Sequence, residues 1–296
     1  MPLRLAALAA LCSLSISSLG CGKDSPSTVD DDPIGRCADF DPLRQVFWGD
    51  THVHTTLSLD ANLQGTRTTP SDAYAYARGA AIGVQPYDGD TPTRMTAIDR
   101  PLDFVTLSDH AEFMGTIAVC NDPSSPAYDE MQCVDYRDPS LADLVYVQLN
   151  ALTALPPEDV RYPALCGPDA MYCIDAGMDV WAGVVDAAEA AYDRTDSCEF
   201  TSFAGYEWTS VPMVNNLQRY VMFKNVKVSE QPYNFFDEPY VEDLWAALQS
   251  NCIDRNDGCD VLTIPHNSNL GNDVFFKDEM ANGQPFDAEY AAARNE

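Results

Sequence analysis

The chain has 296 residues, 46% of them hydrophobic and 10% aromatic, enough apolar surface to bury a full core. Its 46 acidic residues against 17 basic ones give a formal charge of −29, which repels polyphosphate backbones and anionic membrane surfaces and argues against a nucleic-acid partner. No EF-hand loop of the D-x-D-x-D-G kind occurs, so the acidity reads as a heavily solvated surface.

Residues 1–20 read as an export signal. Met1 to Arg4 are basic, Leu5 to Leu19 form a run of apolar and small residues too short to span a bilayer comfortably, and Ser18-Leu19-Gly20-Cys21 is similar to a lipoprotein cleavage site. Cys21 then becomes the lipidated first residue of a periplasmic or cell-surface protein; an ordinary signal peptide exports it equally well. Residues 21–43 are polar, acidic and proline-bearing at their centre, as suits a flexible tether, and 44–296 form the folded domain. Membrane contact is expected only through the lipid.

Within that domain, strands and helices alternate. Gln45–Trp48 with Val53 form a short apolar run, and Thr69-Pro70 opens a helix that Gly79 closes. Tyr87-Asp88-Gly89-Asp90 is a turn between alternating segments, which predicts a hairpin over 84–98. Leu102–Leu107 reads as a buried strand. A proline- and cysteine-rich insertion follows over about 116–176, with one weak helix near 141–152. Helix is then expected at 178–193, strands at 200–206 and 220–226, helix at 241–248 and strand at 261–264. The fold class is α/β.

Of ten cysteines, Cys12 and Cys21 fall at the leader, and eight remain, an even number suited to an oxidising compartment. Their spacings favour local bridges, Cys166 with Cys173, Cys252 with Cys259 and Cys120 with Cys133, which leaves Cys37 for Cys198. No C-x-x-C pair supports the rival reading of a zinc thiolate site.

All four histidines lie in short polar clusters at the ends of strand-like runs: His52 and His54 in VFWGDTHVHTTLSLD, His110 in DFVTLSDHAEF and His266 in DVLTIPHNSN. Side chains two apart on a strand share a face, so the His52-x-His54 pair can meet one ion or a pair of ions. Carboxylates follow at similar places. Asp60 is either a ligand or a turn cap, Glu207 a ligand or the partner of a buried Arg219, and Asp109 either orients a neighbour or activates water. Glu112 reads as a helix start. Four imidazoles with at least three carboxylates exceed the needs of one ion, which implies two or three divalent ions such as Zn, Mn or Fe.

The order GDTHVHTTLSLDA, PLDFVTLSDHAEFMG, GYEWTS and IPHNSNL resembles the PHP (polymerase and histidinol phosphatase) superfamily, in particular its exported DUF3604 branch, over about residues 46–290. The resemblance implies a distorted seven-stranded, TIM-like (β/α)7 barrel holding two or three divalent ions. His52, His54, Asp60, His110, Glu207 and His266 fall on the ligand positions of those motifs. The pattern ordinarily closes with an Asp-x-His pair, which is not found before Glu296, so the barrel is expected to be incomplete at this end of the chain. Gln218 also stands where the resemblance implies histidine.

The chemistry implied is hydrolysis of a small anionic ester, phosphate or a similar group, by metal-activated water, with Asp109 and His110 as catalytic residues. Arg219 and Asn267 are the expected substrate contacts, Arg100 a weaker alternative. No nucleophile elbow, P-loop or G-x-G-x-x-G fingerprint competes. A catalytically silent metal- or ligand-binding surface lipoprotein of the same fold is the other reading.

Overall fold

The computed structural model describes residues 37–41, 43, 45–154, 163–211, 215–273, 275, 277–280 and 283–293. The expected leader, Cys21 and most of the tether lie outside the described residues. Among those described, no helix is long and apolar enough to cross a membrane.

β1 (Gly49–Val53) delivers the His52-x-His54 pair into a loop that holds the short helix α1 (Leu59–Leu63). The expected run at 45–48 is not part of a strand; Val46, Phe47 and Trp48 are exposed. α2 (Pro70–Ala77) starts where the sequence indicates: Thr69 and Asp72 form a reciprocal capping box, proline occupies the first turn, and Gly79 follows at φ +94°. The hairpin is also present, as antiparallel β2 (Ile82–Asp88) and β3 (Thr91–Thr96). β4 (Phe104–Leu107) lies parallel to β1 and ends at Asp109-His110.

The expected irregular insertion is helical: α3 (Met114–Asn121), α4 (Met131–Arg137), α5 (Ala142–Leu152) and α6 (Pro163–Cys166) precede α7 (Met171–Ala191). Its own apolar cluster, which includes Phe113, Ile117, Val145, Leu149 and Leu165, explains why. Gly115 allows the closest approach of α3 to α7, because a Cβ there would overlap the Cys173 carbonyl. The start of α7 lies earlier than the sequence pattern suggested, with Cys173 in its first turn bridged to Cys166. All four disulfides have the expected pairing.

β5 (Thr201–Phe203) and β6 (Gly205–Ser210) replace the single strand expected at 200–206. The first pairs with β4 in parallel, the second with β7 (Leu217–Phe223) in antiparallel. Gly205 marks the change of partner: a Cβ there would sit 2.6 Å from Thr106 Cγ2 and 2.8 Å from the Leu107 carbonyl. α8 (Val241–Asn251), then β8 (Val261–Pro265) against β7, and α9 (Ala288–Ala293) complete the described elements.

The result is a mixed α/β fold with three small sheets, β1-β4-β5, β2-β3 and β6-β7-β8; among the described residues no sheet closes into a barrel. A parallel bridge between His110 and Glu207 joins the end of β4 to β6. The main core lies between these strands and α2, α7 and α8. α7 buries Trp181, Val184, Ala187 and Ala188 on one face, and Trp181 packs edge-on against Tyr206 at 5.4 Å. A side chain the size of Val184 removed from water contributes about 1.5–3 kcal/mol and an alanine methyl less, so the strand ends that carry the histidines rest on a firm layer.

Candidate metal centre

The four imidazoles, spread over 215 positions of sequence, meet in one row at the strand ends. Ring centroids are 5.0 Å apart for His266 and His52, 4.9 Å for His52 and His54, and 4.8 Å for His54 and His110. Parallel direction explains the convergence: β1, β4 and β6 all point their C-terminal ends to the same side.

Glu207 is the hub. Fully buried, it places Oε2 3.1 Å from His54 Nε2 and 3.9 Å from both His52 Nε2 and His110 Nδ1. Its other oxygen, Oε1, is buried without a hydrogen-bond partner. Asp60 approaches from α1, 3.0 Å from His54 Nδ1 and 3.9 Å from His110 Nε2. Two triads result, His52-His54-Glu207 and His54-Asp60-His110, with potential ligand atoms within 4.8 Å of one another. Nitrogen and carboxylate donors in threes, with an unpartnered carboxylate oxygen among them, fit one or two metal ions.

Outer contacts orient the rings. The Tyr220 hydroxyl is 2.8 Å from His52 Nδ1, and Thr209 Oγ1 is 2.6 Å from His110 Nδ1. Neither Tyr220 nor Thr209 stood out in the sequence as a site residue. Cross-strand register could have found Tyr220, which is the β7 partner of Glu207 and shares its face.

Electrostatics follows from crowding. Burial alone would push His54 down, but the hydrogen bonds and charges of Asp60 and Glu207 outweigh it and raise the imidazole to about 10. Burial opposes ionisation of Asp60 and Glu207 as well, yet the neighbouring histidines hold both carboxyls below the usual range. His52 and His110 are pushed down, chiefly by burial.

The other expected site residues lie outside the two triads. Asp109 is fully buried and outside both triads: Oδ1 accepts from the Thr55 amide at 2.5 Å and Oδ2 from the Thr55 hydroxyl at 2.9 Å. Burial pushes its carboxyl up to about 6 against those hydrogen bonds. This geometry makes it a brace between β4 and the loop carrying His54. His266 joins the row at its half-exposed end, with Nδ1 2.9 Å from the Asn267 carbonyl. The Asn267 side chain is turned to its own loop, accepting from the Asn269 amide at 3.1 Å.

Arg219 is not brought to the cluster. It pairs in register with Trp208 and Pro265, so it occupies the face of β7 opposite Tyr220, over the Phe275 ring. No ion pair with Glu207 forms. Arg100 precedes β4, at the end of that strand remote from His110. Glu112 stands, as expected, in the first turn of the short helix Ala111–Phe113 that leads into α3, and it is also buried beside the site. Its Oε1 accepts from the Thr209 amide at 2.7 Å and the Phe235 amide at 3.2 Å, and burial pushes its carboxyl up to about 8.

Residues 41–296 match the family described as "Protein of unknown function (DUF3604)". No curated protein and no solved structure matches the chain.

Proposed function

We propose that this chain, which belongs to the DUF3604 family, is an exported metal-dependent hydrolase of phosphate esters or chemically similar esters. The observation that carries the reading is the placing of Glu207: one buried carboxylate oxygen within 3.9 Å of three imidazoles, and the second without a partner. His52, His54 and Glu207 would hold one divalent ion and His54, Asp60 and His110 another; His266, at the rim, would take part in a third site or in proton transfer. Such ions, when bound, lower the pKa of water to about 7 and offset negative charge on the ester oxygens.

The chain's own groups do the positioning. Tyr220 and Thr209 fix the planes of His52 and His110, and Asp109 holds Thr55 so that the loop presents His54. We read His266, half-exposed at the end of β8, as the group that passes a proton to a leaving alcohol. We read the succession β1-β4-β5, then β6-β7-β8, as consecutive staves of a seven-stranded PHP barrel. The 5.0 Å approach of His52 on β1 to His266 beside β8 supports the curvature this needs. Export, with a lipid on Cys21 and a tether to residue 43, remains part of the proposal on the strength of the N-terminal sequence.

The test is turnover. Protein stripped by chelator and reloaded with manganese or zinc is expected to bind the metal and hydrolyse 4-nitrophenyl phosphate or the corresponding sulfate, and His54→Ala to do neither. Metal uptake with no hydrolysis across a broad ester panel would replace the hydrolase with a silent binding protein.

A further inference from the structure

Across the sheet β6-β7-β8, a row of side chains stands one step beyond Glu207 and Tyr220 toward the end of β6. Thr209 on β6 pairs with Gln218 on β7. The His266 amide donates to the Gln218 carbonyl at 3.1 Å, which carries the Arg219–Pro265 register one residue further and sets His266 opposite Gln218 on the other side. Side chains directly opposite on antiparallel strands share a face, as do residues two apart on one strand. Gln218 therefore faces the way Tyr220 does. Its two neighbours in the row are already at the cluster: the Thr209 hydroxyl lies 2.6 Å from His110 Nδ1, and the His266 ring centroid 5.0 Å from that of His52.

Gln218 is 8% exposed, and among the described residues its carboxamide makes no hydrogen bond, although its atoms are not sealed from solvent. A carboxamide carries two N–H donors and a carbonyl acceptor. Leaving them unmatched where water is scarce is unfavourable, and a ligand that brings acceptor oxygens relieves that cost. The surroundings narrow the ligand further. Among the described residues the ion-pair partners of Asp60 and Glu207 are histidines alone, and Arg219 projects to the opposite face of β7. An anionic ester at the cluster therefore finds neutral donors on the β7 side, where Gln218 is the middle member of the row.

We propose that Gln218 is a substrate-binding residue: its amide N–H donates to a non-bridging oxygen of the ester, between Thr209 and His266. This rests on the hydrolase reading and deepens it by naming the group that receives the anion. Contact with an oxygen that substrate and inorganic product both possess strengthens the binding of both, so its loss shows in KM and in product affinity more than in kcat.

The experiment uses the full chain loaded with manganese or zinc, 4-nitrophenyl phosphate or sulfate as substrate, and calorimetric titration with the matching inorganic phosphate or sulfate. Gln218→Met, similar in length and without a donor, is expected to raise KM about tenfold, to lower kcat less than about threefold, and to weaken the inorganic anion about tenfold. Metal content and the urea midpoint are expected not to fall, because the amide holds nothing within the protein. Gln218→Ala removes the donor without adding bulk; it is expected to give the same losses and decides the matter should the first variant not fold. Unchanged KM and anion affinity, a raised KM with unchanged anion affinity, no saturable anion binding by the wild type, or losses that follow a drop in urea midpoint or metal content would each overturn the assignment. The wild type separates the two readings: anion binding that weakens in the variants without any turnover removes only the hydrolase, and turnover that is indifferent to both variants removes only the role of Gln218.

Discussion

His54 Nε2 and Glu207 Oε2 lie 3.1 Å apart although 153 positions of sequence separate them. His54 belongs to both candidate triads, so its removal dismantles both at once. His54→Ala and Glu207→Gln are each expected to lower divalent-metal affinity by more than about 100-fold, beyond the range found for outer-sphere partners. Metal content after dialysis, measured by mass spectrometry, checks this; a variant that retains full metal would show that the ions bind elsewhere.

The same pair sets a pH dependence in chelator-treated protein. His54 is raised above its ordinary 6.5 to about 10. Its stabilising contribution is therefore complete below about 6.5 and lost as pH rises through about 10. Thermal unfolding of metal-stripped protein is expected to occur at falling temperature between neutral pH and 10, and His54→Asn to flatten that part of the profile. With metal bound the proton is displaced, and the wild-type profile flattens too.

Thr55→Val removes one of the two donors that hold Asp109 and leaves a fully buried carboxyl oxygen unpaired. A loss of about 1–3 kcal/mol in urea denaturation is expected, with metal affinity reduced roughly 10–100-fold through the displaced His54 loop. A stability loss with unchanged metal binding would confine Asp109 to the fold.

Arg219 is a cation only 8% exposed, with no ion pair among the described residues and one hydrogen bond, to the Gln218 carbonyl. Burial lowers it to about 10. Arg219→Met, similar in volume and uncharged, is expected to raise stability by about 1–2 kcal/mol and leave ester turnover within about twofold. A marked loss of turnover would restore the substrate-binding role that the sequence pattern suggested.

The disulfides differ in what they restrain. Cys37–Cys198 closes a separation of 161 residues and Cys252–Cys259 one of 7. In the chain-entropy description, replacing the first pair by alanine costs about 5 kcal/mol and the second about 2.5 kcal/mol. Equilibrium unfolding of the two double variants tests the order.

Much of this architecture was legible locally. Thr69-Pro70, the Asp88-Gly89 turn and the spacing of six of the eight cysteines each encode structure within a dozen or so neighbours, and each appears where the sequence placed it. Histidines at the ends of apolar runs likewise announced ligand-type chemistry. The helical insertion was less legible, because its prolines and cysteines interrupt the periodicity while its side chains still bury a common cluster.

What the sequence by itself determined is the kind of most elements outside the 116–176 insertion, the short-range disulfide partners and the residue types available for a metal. Only the tertiary structure decided that Glu207 sits under three imidazoles, that Asp109 braces Thr55, that Glu112 is buried with one oxygen unpartnered, and that Arg219 faces away. The reason is physical: caps, turns and short bridges arise from interactions between near neighbours, whereas the face a strand side chain occupies depends on register with distant segments. In β7 a shift of one residue exchanges Tyr220 for Arg219 at the cluster, and the register that decides between them is set by pairing with β6 and β8.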